Sequence, residues 1–401
     1  MILKPKRSKS VLRQHPWIFS GAIQKTEGSP SFGSLVSVHD YQSDFLAWGH
    51  YSPHSQIRVR LIDWNEQQPC EHDDFWAKKI AGAVTTRKII TNSGTTTACR
   101  LINAENDGLP GLILDQYQDV VVVQFLSAGM EARKTILTRL LIDILHPQAI
   151  FERSDSDVRQ KEGLAPSTGL RYGALPAQPM MFMENGLHFL VDIAEGHKSG
   201  FYLDQRTNRQ RFSDLTQHLI RIGIHPTLLN VFSYTGAFSV YGLMAGALSA
   251  VNVESSQEAL AMGGQILDIN NIARSRVQDV AVDAFEGLRA LNRQNMNFDM
   301  IVVDPPKFAS SQKDVQRASR GYKDINMQAL RLLAPGGYLF TFSCSGAISD
   351  DLFQKILFGA ALDAHRNIQI VGRMTQSEDH PVAITFPEGS YLKGLICRLS
   401  E

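Results

Sequence analysis

From about residue 186 the chain alternates short apolar runs with stretches of helical periodicity, and no other feature restricts its fold as much. The runs are Leu228 to Phe232, Ala250 to Val253, Val280 to Val282, Met300 to Val303 and Tyr338 to Phe342. Strands alternating with helices imply an α/β fold built on a parallel, doubly wound sheet. Ligands of such sheets sit outside the carboxyl ends of the strands, near the point where strand order reverses. The residues just after each run are therefore the ones placed to carry chemistry.

The first run leads into Phe232-Ser233-Tyr234-Thr235-Gly236-Ala237-Phe238, a tight turn opening a helix whose first N–H groups can approach a ligand. The turn lacks G-x-G-x-x-G spacing, which argues against NAD or FAD. Glu254 follows the second run, where an acid can accept both hydroxyls of a ribose, and Asp283-Ala284-Phe285 follows the third. The fourth run passes directly into Asp304-Pro305-Pro306-Lys307-Phe308, in which two prolines fix φ and hold the acid rigidly above the sheet edge. Any one of these acids would pass as a surface residue; acids at three successive strand ends are harder to dismiss. The fifth run ends in Thr341-Phe342-Ser343-Cys344-Ser345-Gly346 and brings a thiol to the same crevice, where a buried, inert cysteine is the ordinary alternative.

Upstream the pattern is different. With 401 residues the chain is long enough for two to three domains. Residues 1–72 carry short alternating runs, Ser34 to Val38 and Gln56 to Leu61, that read as strands of a small β-rich domain. Residues 73–185 read as mixed α/β, with helical patterns over Asp73 to Ile89 and Glu131 to Leu145 and strand-like Val120 to Val123. Gly163 to Pro179, rich in Gly, Pro, Ser and Thr and without periodicity, reads as the boundary before residues 186–401.

Forty basic and forty acidic residues cancel, so a nucleic-acid partner has to be met by a local patch. Lys4, Lys6, Arg7, Lys9, Arg13 and Lys25 precede the first acid, Glu27, and form either such a patch or a solvated tail. Trp17 and Phe19 nearby could stack on bases or fill a core. Cys70, Cys99, Cys344 and Cys397 form no CxxC pair and no cluster with histidine, which speaks against a zinc site or a disulfide framework and for a reducing cytosol. The charged start does not suit a signal peptide. The uncharged stretch Pro226 to Val253 is interrupted by Asn230, Ser233, Thr235 and three glycines, so it is not expected to span a membrane.

The segments FYLDQR (201–206), NVFSYTGAF (230–238), VESSQEAL (253–260), DPPKFA (304–309), RGYKDIN (320–326), FSCSG (342–346) and FPEGSYLKG (386–394) closely resemble the bacterial S-adenosylmethionine-dependent large-subunit ribosomal RNA cytosine-5 methyltransferases, over nearly the whole chain. The resemblance implies a PUA RNA-binding domain at 1–72, a central α/β domain at 73–185 and a Rossmann-like class I methyltransferase domain at 186–401. It implies S-adenosylmethionine as cofactor, ribosomal RNA as partner, no metal and a cytoplasmic location, and it leaves a homodimer open. By the same similarity Phe232, Ser233, Tyr234, Thr235 and Gly236 would hold the methionine part of the cofactor, Glu254 the ribose, and Asp283 with Ala284 the adenine. Asp204, Arg206 and Asp304 would line the pocket. Ala237 stands where the family commonly has glycine.

Cytosine C5 is a poor nucleophile, and a soft nucleophile adding at C6 first converts the ring into an enamine that can accept a methyl group at C5. A cysteine suits that task. Cys344 alone follows a sheet strand beside the DPPK segment, and since an ordinary thiol is only a few per cent ionised near neutrality, a cation such as Lys307 would assist it. Asp304 could bond the cytosine N3/N4 edge. Many RNA cytosine-5 methyltransferases carry a second cysteine after this proline; here Pro305-Pro306-Lys307 stands instead, leaving Glu388 and His380 as titratable groups for removing the C5 proton. Two other functions compete. One is a noncovalent RNA N-methyltransferase, whose DPP is followed by an aromatic residue, here displaced to Phe308; the other is a noncatalytic RNA-binding ribosome-assembly factor. Lys313, Arg317, Arg320 and Lys323 supply a second basic surface for RNA.

Overall fold

The computed structural model describes residues 1–68, 70–196, 200–309 and 311–400. The chain divides into two compact units, one of residues 1–186, 191–203 and 378–389, the other of residues 187–190, 204–377 and 390–401. Among the described residues no helix is long and apolar enough to cross a membrane.

The first unit holds two sheets. In the six-stranded sheet the order is Trp17–Phe19, Ile57–Asp63, Phe45–Tyr51, Leu35–His39, Ile2–Leu3, Ile23–Lys25, around a core of Leu3, Val11, Val38, Ala47 and Val59. In the five-stranded sheet it is Ser167–Gly173, Ala149–Ser154, Val120–Phe125, Leu112–Tyr117, Ala98–Asn103. Helices Asp73–Thr86 and Lys134–Leu145 cover that sheet by packing Phe75, Trp76, Ile80, Leu137 and Leu141 against Leu101, Leu114 and Val121.

Two expectations are corrected here. The 163–179 segment, read as without periodicity, contains a strand, because Ser167–Gly173 pairs antiparallel with Ala149–Ser154. As an edge strand it is mostly exposed, and a strand that buries so little leaves no apolar alternation to read. The helix expected over Glu131 to Leu145 is two helices, Ala128–Ala132 and Lys134–Leu145, separated at Arg133.

His50 lies between these layers, 2% exposed and stacked on Trp76 at 5.6 Å, and neither ring nitrogen has a hydrogen-bond partner among the described residues. A Cβ on Gly129 would come within 2.0 Å of His50 Nδ1, so only glycine lets helix Ala128–Ala132 approach this closely. Burial, and then the charge of Arg133, push the imidazole pKa well below its ordinary value. The folded protein thus keeps His50 neutral at pH values where the unfolded chain protonates it. Stability is complete above about pH 6.5 and falls below it, at up to ~1.4 kcal/mol per pH unit from this group. Denaturant unfolding of wild type and His50→Leu between pH 7 and 5 should therefore converge as pH drops, with wild type losing more than the variant, by at most ~1.4 kcal/mol per pH unit below about pH 6.5. Parallel pH profiles would refute this.

The second unit is built on a seven-stranded sheet: β1 (Thr227–Val231), β2 (Ser249–Glu254), β3 (Val277–Ala281), β4 (Phe298–Val303), β5 (Leu333–Ser343), β6 (Ile368–Met374) and β7 (Lys393–Leu399). The order is β3-β2-β1-β4-β5-β7-β6, with β7 the one antiparallel strand. Helices α1 (Arg206–Arg221), α2 (Ala237–Met244), α3 (Gln257–Ile269), α4 (Ala284–Arg293), α5 (Val315–Arg331) and α6 (Asp350–Ala364) connect and flank the strands. Val231, Val253, Ile301, Val303 and Leu339 form one core with Tyr322 and Ile325 of α5 and Phe353 and Leu357 of α6. β3 starts three residues before the run that signalled it; as an edge strand it exposes Gln278 and Asp279. Strand order reverses between β1 and β4, so the crevice beyond their carboxyl ends is where this architecture binds ligands.

Candidate active site

The turn after β1 is held in an unusual backbone state. Phe232 (φ 59°), Tyr234 (φ 50°) and Gly236 (φ 77°) are all left-handed, a conformation that costs non-glycine residues energy and persists only where the surroundings impose it. Part of that imposition is Glu254 at the end of β2. Its Oε2 accepts the Tyr234 N–H at 2.9 Å, while Oε1 accepts the Ser256 N–H at 3.0 Å and the Ser255 hydroxyl at 3.2 Å. Ser233 Oγ and Thr235 Oγ1 are buried in the same turn without a hydrogen-bond partner among the described residues. Buried hydroxyls are normally paired, so this turn has two hydroxyls to offer a polar partner.

Asp283 is exposed and caps α4, its Oδ1 accepting from the N–H groups of Phe285 (2.9 Å) and Glu286 (3.3 Å). Capping accounts for one oxygen and leaves Oδ2 without a protein partner among the described residues. Ala284, the first residue of α4, is buried. At the end of β4, Asp304 Oδ2 accepts from Gln205 Nε2 at 2.9 Å. Gln205 in turn accepts from Asn208 at 2.6 Å, so the segment before α1 buttresses the acid. Asp204 Oδ2 accepts from the Tyr391 hydroxyl at 2.6 Å and its carbonyl from the Ser377 N–H and hydroxyl, both at 2.9 Å; Arg206 is buried at the start of α1.

Cys344 follows β5, which pairs parallel with β4, and its Sγ lies 4.0 Å from the Pro305 carbonyl. The other three thiols are buried, Cys70 and Cys397 with pKa values pushed by burial to about 11 and about 12, whereas Cys344 is partly open. Ser345 anchors the turn: its Oγ accepts the Ala309 N–H at 3.2 Å and bonds the Tyr322 hydroxyl at 3.0 Å, and its carbonyl accepts from Lys393 Nζ at 3.0 Å. Lys307 is exposed. Phe308 is packed among Phe285, Tyr322 and Phe232, with the Tyr322 ring 4.7 Å away.

The two titratable groups expected to serve C5 have partners in the first unit. His380 Nδ1 is 3.1 Å from Asp379, and Glu388 is 3.1 Å from His15 Nε2. Among the basic residues of α5, Arg317 is 84% exposed beside Asp314, and Lys323 is tied to Asp363 at 2.7 Å. Gln205, Tyr391, Ser345 and Lys393 were missed by sequence reasoning as individual residues. Their signal was only their inclusion in the FYLDQR, FSCSG and FPEGSYLKG segments. No cluster of three or more metal-ligating side chains occurs among the described residues.

Residues 1–64 match the family model of a PUA-like domain, and residues 109–394 that of an S-adenosylmethionine-dependent methyltransferase. The chain is 43% identical over 401 residues to ribosomal RNA large subunit methyltransferase I of Alteromonas mediterranea, covering all of this chain and 99% of that one. It is 45% identical over 392 residues to the protein of that name in Aeromonas salmonicida, covering 98% and 97%. Among solved structures, a proposed S-adenosylmethionine-dependent methyltransferase from Streptococcus mutans superposes with TM-score 0.85 at 20% identity, and a proposed methyltransferase complexed with S-adenosylhomocysteine with TM-score 0.85 at 21%; both alignments cover 99% of each chain.

Proposed function

We propose, for a chain that belongs to the S-adenosylmethionine-dependent methyltransferases and to the family of ribosomal RNA large subunit methyltransferase I, that it methylates C5 of a cytosine in large-subunit ribosomal RNA through a covalent bond from Cys344. The observation that carries this reading is the partly open Cys344 thiol at the end of β5, 4.0 Å from the carbonyl of Pro305 in the rigid Asp304-Pro305-Pro306 exit of β4. The packing of Phe308 against Phe285 and Tyr322 weighs against an N-methyltransferase that uses this aromatic ring to hold its base.

The residues present suit the cofactor. When bound, S-adenosylmethionine supplies an electrophilic methyl group on a sulfonium. The unpaired hydroxyls of Ser233 and Thr235 and the left-handed turn 232–236 would receive its amino-acid end, the Glu254 carboxylate the ribose, and Asp283 Oδ2 the adenine amino group. Arg206, Asp204 and Ala284 would complete the pocket wall. Removing Glu254 loses both the ribose acceptor and the brace on Tyr234. Charged hydrogen bonds contribute ~1.5–3 kcal/mol, so calorimetry should find Glu254→Ala binding S-adenosylmethionine roughly 10- to 100-fold more weakly. Unchanged affinity would remove the ribose assignment.

Cys344, as thiolate, would add to C6, making the C5–C6 π pair available at C5 to bond the methyl carbon as that carbon's bond to the sulfonium breaks and a neutral thioether leaves. Asp304, held by Gln205, would meet the N3/N4 edge and, as the acid, give a proton to N3, which takes up the negative charge brought by the thiolate and leaves the neutral enamine. Loss of the C5 proton to a base restores the double bond and expels the Cys344 thiolate. Attack comes from the ring face, so the cytosine has to be unstacked into the crevice at a cost of a few kcal/mol. Arg317, Arg320 and exposed Lys307 in the second unit offer phosphate contacts that offset it, and the basic N-terminal residues with exposed Phe19 give the first unit an RNA surface of its own. The test is mass-spectrometric mapping of nucleosides after incubation of the protein, ribosomal RNA and methyl-labelled cofactor. Label in 5-methylcytidine is expected; label in an N-methylated nucleoside, or none, would overturn the reading.

A further inference from the structure

Lys393 opens β7, and the antiparallel register with β5 sets it opposite Ser343, the residue before Cys344. Its side chain is buried, 6% exposed, and Nζ donates to the carbonyl of Ser345, the residue after Cys344, at 3.0 Å. Among the described residues no carboxylate lies within ion-pair distance of it. An ammonium removed from water and met only by a neutral carbonyl is expensive to keep, and buried charges are ordinarily paired.

The charged and titratable groups around this end of the sheet are few. Asp304 and Lys307 leave β4, Tyr322 comes from α5 and Asp350 from the first turn of α6. Burial, chiefly, lowers the Lys393 pKa; Asp350 and Cys344 act to raise it, and Lys307 to lower it. The same burial, opposed in part by bonds to Ser343 and Ser345, raises that of Tyr322, which leaves the tyrosine a neutral hydroxyl on Ser345. The group beside Lys393 that can become negative, sits on the same turn and is left partly open is the Cys344 thiol.

We propose that Lys393 is the positioning residue that holds Cys344 as a thiolate, through an ammonium buried against the carbonyl that follows the cysteine. Lys307, exposed to water and screened, has the weaker claim. The pair shares one proton to lose near neutrality: thiol and neutral amine become thiolate and ammonium without proton exchange with solvent. The inference rests on the covalent reading above only for its purpose, because the ion pair is measurable without RNA or turnover.

The test is the rate of alkylation of Cys344 by iodoacetamide on the intact protein from pH 5.5 to 10, read at that cysteine by peptide mass spectrometry. Wild type should show a midpoint below the ordinary thiol value of about 8.5. Lys393→Met should raise the midpoint by at least one unit, about a 10-fold slower reaction near pH 7, while calorimetric S-adenosylmethionine binding persists. Lys393→Arg should restore a low midpoint, and Lys307→Met should leave it in place. A wild-type midpoint at or above 8.5, an unmoved midpoint in a cofactor-binding Lys393→Met protein, or a shift of this size in Lys307→Met would overturn the proposal. A wild-type midpoint at or above about 8.5, or a shift of this size in Lys307→Met, overturns the proposal even if Lys393→Met does not fold. Failure of the covalent mechanism would appear instead as turnover by a protein lacking Cys344.

Discussion

Cys344→Ala should lose turnover by on the order of 10³-fold or more, the scale seen when a nucleophile is removed, while keeping its affinity for S-adenosylmethionine. The two effects separate because in the proposed mechanism the thiol acts on the base and not on the cofactor. The 232–236 turn follows β1 and Cys344 follows β5, two strand positions away across β4, or roughly 10 Å at the usual strand spacing. Alanine also fits the site, since Tyr322, Ala309 and Lys393 anchor the turn through Ser345 and not through the cysteine. RNA containing 5-fluorocytosine should trap wild type as a covalent complex, because fluorine at C5 leaves no proton to lose and the S–C6 bond persists. The alanine variant should form none. Turnover by the variant at more than about a tenth of the wild-type rate would exclude the covalent mechanism.

Arg60→Met should produce the largest loss of stability. Arg60 Nη1 donates to Glu105 Oε1 at 2.7 Å and Nη2 to Glu162 Oε1 at 2.9 Å. Glu105 also accepts from Trp17 Nε1 at 2.8 Å, and Glu162 from the Ala128 N–H at 3.3 Å. All three charged side chains are at most 8% exposed. Methionine keeps most of the volume but leaves two carboxylates buried without their cation, which costs roughly 3–5 kcal/mol. Urea unfolding should show the loss directly, and adding Glu105→Gln and Glu162→Gln should recover much of it, since the penalty comes from unpaired charge. A loss below about 1 kcal/mol would mean that water reaches these groups.

Much of the architecture was legible where burial was complete. The runs at β1, β2, β4 and β5 are buried on both faces of a parallel sheet and leave near-continuous apolar stretches. Legibility failed at edges: β3 starts three residues before its run, and Ser167–Gly173 fell in a stretch read as a boundary without periodicity, because half-exposed strands carry no such signal. The alternation Ile57-Arg58-Val59-Arg60-Leu61 was read correctly as a strand, yet nothing in it tells that Arg60 is buried while Arg58 is only partly so.

The sequence by itself determined the class of sheet and which residues stand at its strand ends, because two local rules suffice for both: apolar periodicity sets the elements, and the polar residues that follow each run mark where the strands stop. Phe232 to Gly236, Glu254, Asp283, Asp304 and Cys344 were all found that way. Only the tertiary structure decided which partners these groups have. Gln205 reaches Asp304 across 99 residues, Tyr391 reaches Asp204 across 187, and Lys393 reaches Ser345 across 48. Those meetings depend on strand order and antiparallel register, quantities that no local pattern encodes, and the orientation of these side chains depends on them in turn.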